Sequence, residues 1–163
     1  MNYLKKLKTE KLFIIPLDLE NFRLFIENKS LMEKNLGVSI TGNKLSSEMK
    51  KIFRKPYEKA IKDKKNLFWY TNWQVVLKNE NKIVAGITFK GLPNEADEVE
   101  IGYETYPQYR NKGIMTETVN QLIKWAFEQD NVKYVIAETE KNNIPSQKVL
   151  EKAMGLGKAE PAK

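Results

Sequence analysis

No cysteine and no histidine occur anywhere in the 163 residues. Their absence removes the Ser-His-Asp triad, the thiolate nucleophile, the Cys/His zinc site and the disulfide framework together. Acid-base work is left to Glu, Asp, Tyr, Lys and Ser, and no metal is expected. Long apolar runs are missing as well. L-F-I-I-P-L, Leu12 to Leu17, is one of the longest, far short of the roughly 18 apolar residues of a membrane span. The basic start M-N-Y-L-K-K-L-K leads into no signal-peptide core and no small-residue cleavage site. A cytoplasmic protein with no membrane partner is therefore expected. The glycine patterns G-x-G-x-x-G and G-x-x-x-x-G-K-[ST] are absent too, which excludes the common dinucleotide and nucleoside-triphosphate loops.

What remains is enough for one folded domain spanning residues 1–163, since 41% of the residues are hydrophobic and 10% aromatic. The net charge of +7 is unevenly spread: residues 1–65 carry 16 basic and 8 acidic side chains, residues 66–163 carry 12 and 13. Such a basic half suits either a nucleic-acid partner or a solvated helix face. Lysines interleaved with regularly spaced apolar residues favour the face, and Phe53 and Tyr57 on the apolar side of that pattern read as core rather than as a base-stacking platform.

Lys11 to Leu17 reads as a strand. A helix follows from an Asp18 cap, with Phe22, Phe25 and Ile26 on one side. Leu45, Met49, Ile52, Phe53, Tyr57, Ala60 and Ile61 recur at spacings of three and four, predicting an amphipathic helix over 44–62 that Pro56 bends or divides. Leu67 to Leu77 and Lys82 to Phe89 read as strands joined by a K-N-E-N hairpin turn. Glu98 to Tyr106 alternates Val99, Ile101 and Tyr103 against Glu98, Glu100, Gly102 and Glu104, a strand with one buried face. Gly113 to Gln129 reads as a helix and Val132 to Ala137 as a short strand, with Asn143 capping a last helix that reaches Lys152. The order is that of a mixed α/β domain with a strand-helix-strand unit near its end.

The stretch richest in chemistry runs from Glu100 to Glu117, E-I-G-Y-E-T-Y-P-Q-Y-R-N-K-G-I-M-T-E. A strand ends, a polar turn follows and a helix opens at Gly113, where unpaired N–H groups and the positive end of the helix dipole face outward. Gly113 has no Cβ to keep a ligand away, and Arg110 and Lys112 add positive charge, so the turn fits an anion such as a phosphate; a solvated turn with an easy helix entry fits it equally.

Arg110-Asn111-Lys112-Gly113-Ile114-Met115 resembles the acyl-CoA loop R/Q-x-x-G-x-G/A of the GCN5-related N-acetyltransferases, departing from it at Met115. I-G-Y before the loop, M-T-E after it, and N-N-I-P-S-Q-K-V-L-E-K from Asn142 to Lys152 resemble the ribosomal-protein-alanine acetyltransferase branch. The resemblance implies a mostly antiparallel central sheet flanked by helices, with a parallel fourth and fifth strand that splay apart to admit acetyl-CoA. Its motifs span residues 98–155. It implies that the amides of Arg110, Asn111, Lys112, Gly113, Ile114 and Met115, with Thr116 beside them, hold the pyrophosphate. The backbone of Thr105 and Tyr106 would meet the pantetheine and supply the oxyanion donor, and Asn143 and Ser146 would line the thiol end. It further implies acetyl transfer to a primary amine, a ribosomal-protein N-terminus or a small molecule, by direct attack. Glu100 matches the general base, with Glu104 and Glu98 behind it on the same strand face. Leu150 stands where many members carry a Tyr that protonates the sulfur, which leaves Ser146 as the expected acid ahead of Tyr103 and Tyr134.

Two readings from other classes stay open: an acyl-CoA-binding module with little catalysis, and a basic RNA- or ribosome-associated protein. Only eight residues follow Gly155, where the family continues into two further strands, so a shortened sheet whose edge pairs with a second copy is a further expectation.

Overall fold

The computed structural model describes residues 6–137. The expected last helix, with Asn143, Ser146 and Leu150, and the shortened C-terminus lie outside the described residues. Six strands form one sheet in the order β1 (Leu7–Lys8), β2 (Leu12–Pro16), β3 (Asn72–Leu77), β4 (Lys82–Phe89), β5 (Glu98–Thr105) and β6 (Tyr134–Ala137). All neighbours pair antiparallel except β5 and β6, which run parallel from Glu98–Tyr134 to Ile101–Ala137. The short β1 shifts the count by one, so the parallel pair expected as the family's fourth and fifth strands is β5 and β6.

Between β2 and β3 lie α1 (Leu19–Glu27), α2 (Lys29–Leu36), α3 (Ser47–Lys62) and the short α4 (Leu67–Tyr70); α5 (Ile114–Phe127) connects β5 to β6. Asp18 caps α1 by accepting from the amide of Asn21 at 2.8 Å, as its spacing predicts. Asn28 ends α1 and opens α2, and Gly37 closes α2 in the left-handed conformation. Helix α3 starts at a Ser46 cap rather than at Lys44 and continues through Pro56.

The sheet is covered on both faces because its apolar residues alternate along the strands. Leu12, Ile14, Trp73, Val75, Ile87, Phe89, Val99 and Ile101 pack with α5 through Ile114, Met115, Val119, Leu122 and Trp125. On the other face Ile15, Val76 and Ile83 meet Phe22, Phe25, Ile26 and Met32 of α1 and α2, and Phe53 and Tyr57, partly buried, pack against this cluster.

Two expectations are corrected. Leu67 to Tyr70 is a helical turn rather than the start of a strand. In that turn the Trp69 ring packs at 4.7 Å from Phe89, and the Tyr70 hydroxyl donates to Asp63 at 2.9 Å. Tyr134, read as part of a short apolar strand, is 59% exposed. Among the described residues no helix is long and apolar enough to cross a membrane.

Candidate active site

The end of β5 governs everything around it. Lys90 donates its amide to the Glu100 carbonyl at 2.8 Å and Tyr106 donates to Val84 at 2.9 Å. Antiparallel backbones alternate the direction of their polar groups. The same alternation turns the N–H and C=O of Tyr103 and Thr105 away from β4 and toward the β6 side. The Tyr106 amide is thus engaged by Val84, which removes it as a free donor, whereas the Thr105 amide is not used by β4.

Beyond Thr105 the chain makes a tight turn over Pro107–Tyr109 and enters the basic loop. Tyr109 is buried, and its hydroxyl donates to Glu80 in the β3–β4 turn at 2.7 Å, anchoring the loop to the sheet. The Arg110 Nε donates to the Thr105 carbonyl at 3.0 Å, and the Lys112 ammonium lies over the Tyr109 ring at 5.4 Å.

Asn111 and Gly113 take φ values of 64° and 76° in the left-handed region, which an L side chain adopts at a cost and glycine does not. No side chain caps α5, and a Cβ built on Gly113 would meet nothing within 4 Å. The first amides of the helix, at Ile114, Met115 and Thr116, therefore stand at an open helix end. Ile114 and Met115 bury their side chains in the α5 core, so the Met115 that departs from the family pattern points away from the loop.

On the opposite face of the sheet lies a cavity of about 480 Å³. Its floor is polar: Asn72 and Gln74 of β3, Gly86 and Thr88 of β4, and Gly102 and Glu104 of β5 share one face by register. A Cβ on Gly86 would stand 3.1 Å from Asn72 Oδ1 and 3.3 Å from Gln74 Nε2, so the two amide side chains would have to give by a few tenths of an ångström to admit it. Phe25, Leu45, Met49 and Phe53 add apolar groups to the lining, beside the polar Asn43, Lys44 and Ser46. Tyr106 joins the two regions, because its side chain lines the cavity while the chain after it leads into the basic loop.

Lys29 also lines the cavity, 8% exposed, and donates to the Tyr106 hydroxyl at 2.5 Å. Burial lowers its pKa, opposed by the charges of Glu33 and Glu104. Burial likewise raises Tyr106 to about 12, with Glu33 and Glu104 adding to the shift. Glu33 is fully buried behind them and accepts from the Thr41 hydroxyl at 2.9 Å.

Of the carboxylates on β5, Glu104 sits at the exposed rim of this cavity. Glu100 is not among the lining residues; it is partly buried, facing the Lys90 ammonium at 3.4 Å. Glu98 accepts from Asn94 at 2.9 Å. The structure thus gathers Thr105, Tyr106, Arg110, Asn111, Lys112, Gly113, Ile114, Met115 and Thr116 along one continuous run. Lys29, Asn72, Gln74 and Thr88, none of them singled out by the sequence, join from elsewhere.

A family model of the acetyltransferase (GNAT) domain matches residues 11–154. The chain belongs to the GNAT acetyltransferase family. It is 35% identical over 120 residues to the uncharacterized N-acetyltransferase YjdG of Bacillus subtilis (strain 168), covering 73% of this chain and 70% of that protein. Among solved structures it is similar to a ribosomal-protein-S5-alanine acetyltransferase from Vibrio fischeri, with a TM-score of 0.65 at 20% identity, covering 91% and 81% of the two chains. It is also similar to RimL, a ribosomal L7/L12 alpha-N-protein acetyltransferase in complex with coenzyme A. That likeness has a TM-score of 0.62 at 14% identity and covers 91% of this chain and 82% of the other. The family and the order of strands agree with the resemblance drawn from the loop motif, and the chain is by class an N-acetyltransferase.

Proposed function

We propose that this protein transfers an acetyl group from acetyl-CoA to a primary amine held in the cavity, by direct attack. Acetyl-CoA supplies an activated thioester; binding, orientation and proton transfer fall to the chain. The observation that carries the reading is that the uncapped start of α5 and the 480 Å³ cavity are joined by the end of β5. The amides of residues 110–116, with Arg110 and Lys112, give the diphosphate backbone donors, a helix dipole and positive charge together. The Thr105 amide, unused by β4, is the donor for the carbonyl oxygen as negative charge develops on it.

An amine acceptor arrives protonated, at a pKa of about 10 if it is lysine-like, and must lose its proton before attack. Glu104 is the carboxylate on the cavity rim, and we assign it that proton, directly or through a water, in place of Glu100, which matches the base by resemblance but faces Lys90. Asn143 and Ser146 keep the roles the resemblance implies, the thiol end and the sulfur's proton. The acceptor is a protein N-terminus, as the ribosomal-protein enzymes among the structural neighbours favour, or a small amine.

Calorimetric titration with acetyl-CoA tests the reading. Wild type should bind at micromolar concentration, and Gly113→Glu, which sets bulk and negative charge at the helix start, should abolish the heat. Equal binding by the variant would remove the diphosphate from this loop, and no binding by wild type would sink the reading.

A further inference from the structure

The cavity contains a buried cation that makes no ion pair among the described residues. Lys29 is 92% buried by its 8% exposure, and among the described residues no carboxylate comes within 4.0 Å of its ammonium. Its contacts are the Tyr106 hydroxyl at 2.5 Å and the rings of Tyr106 and Phe25 at 4.9 and 5.6 Å. Buried charges are ordinarily paired, because desolvating an ammonium costs several kcal/mol. Glu33 is close enough to be felt but spends its oxygens on the Thr41 amide and hydroxyl. Glu104 is felt as well, from the rim.

The direction of the hydrogen bond matters. The ammonium donates to the tyrosine oxygen, so the tyrosine's own proton points elsewhere, and among the described residues no second acceptor takes the ammonium's other two protons. Lys29 and Tyr106 thereby present a charged and a neutral donor side by side in one cavity wall. That pairing matches the two oxygens of a carboxylate.

Resting on the acetyltransferase reading above, we propose that the acceptor carries a carboxylate as well as its amine, and that Lys29 with Tyr106 binds that carboxylate. Glu104 and Lys29 then form a separated pair of opposite charges, and an amino acid lies between them with its amine toward Glu104. The apolar groups of Phe25, Leu45, Met49 and Phe53 in the lining take its side chain.

Leucine, leucinamide and leucine methyl ester are the probes, alike in side chain and differing in the carboxylate. With rates corrected for the free-amine fraction, wild type should show a kcat/KM at least tenfold higher for leucine than for either neutral analogue. Lys29→Met should erase that preference while leaving acetyl-CoA affinity unchanged. Lys29→Met should also unfold at a temperature equal to or above wild type without ligand, because it removes an uncompensated buried charge and keeps the aliphatic packing.

Equal rates for the three probes in wild type would overturn the proposal, as would a preference for leucine that survives in Lys29→Met. A lower unfolding temperature for the variant would also overturn it, by making Lys29 a structural residue. Acetyl-CoA binding without transfer to leucine refutes the carboxylate acceptor alone. No acetyl-CoA binding at all refutes the acetyltransferase reading and this inference with it.

Discussion

Two carboxylates on one strand face separate at the level of single residues, by their neighbours. Glu104 opens onto the cavity, whereas Glu100 faces Lys90 at 3.4 Å. Removing a general base costs about 10²- to 10⁴-fold in rate. Glu104→Gln is expected to lower kcat by that factor with acetyl-CoA affinity intact, and Glu100→Gln by less than about tenfold; the reverse order in steady-state kinetics would return the role to Glu100. Tyr106 offers a spectroscopic check. Its pKa is raised from 10.0 to about 12, so the fold favours the neutral phenol. That stabilisation is complete below pH 10 and is lost as the pH climbs toward about 12. An ultraviolet titration of phenolate should show a late phase near pH 12 that Tyr106→Phe deletes. Lys29 acts with the opposite sign: its pKa lies below 10.5, so stability rises as the ammonium is discharged on the way up to that pH.

At the level of elements, caps and periodicity decided what could be read in advance. Asp18 and its three-residue spacing to Asn21 announce α1, and Asp18→Ala should cost about 1 kcal/mol in thermal or urea unfolding. The apolar spacing of α5 and the alternation of β5 were equally plain, since each needs only its own sequence. Leu67 to Tyr70 misled, because four large apolar and aromatic residues favour a strand locally. Tertiary contacts of Trp69 and Tyr70 override that preference. The basic loop was legible for a similar reason, being one contiguous run whose Gly113 reports its own backbone. The cavity was not. Lys29, Asn72, Gln74, Gly86 and Glu104 come from α2, β3, β4 and β5, and only the strand register and the packing of α2 bring them to one place.

The whole molecule is organised by its sheet, which carries an aromatic core on one face and the cavity on part of the other. Phe68, Trp69, Trp73, Phe89 and Trp125 touch one another on the α5 side, with Trp73 and Trp125 centred 5.0 Å apart. Trp73 is fully buried, and Trp73→Ala should cost about 3–5 kcal/mol by urea denaturation, enough to threaten folding of a domain this size. The three tryptophans of the sequence all belong to this group. Their indole transitions lie close enough to couple, which should appear as an exciton couplet in circular dichroism. Ultraviolet emission excited at the red edge therefore comes from one locality. A tryptophan signal from this protein watches the face of the sheet away from the cavity, and a ligand entering the cavity leaves that signal unchanged unless the sheet itself shifts.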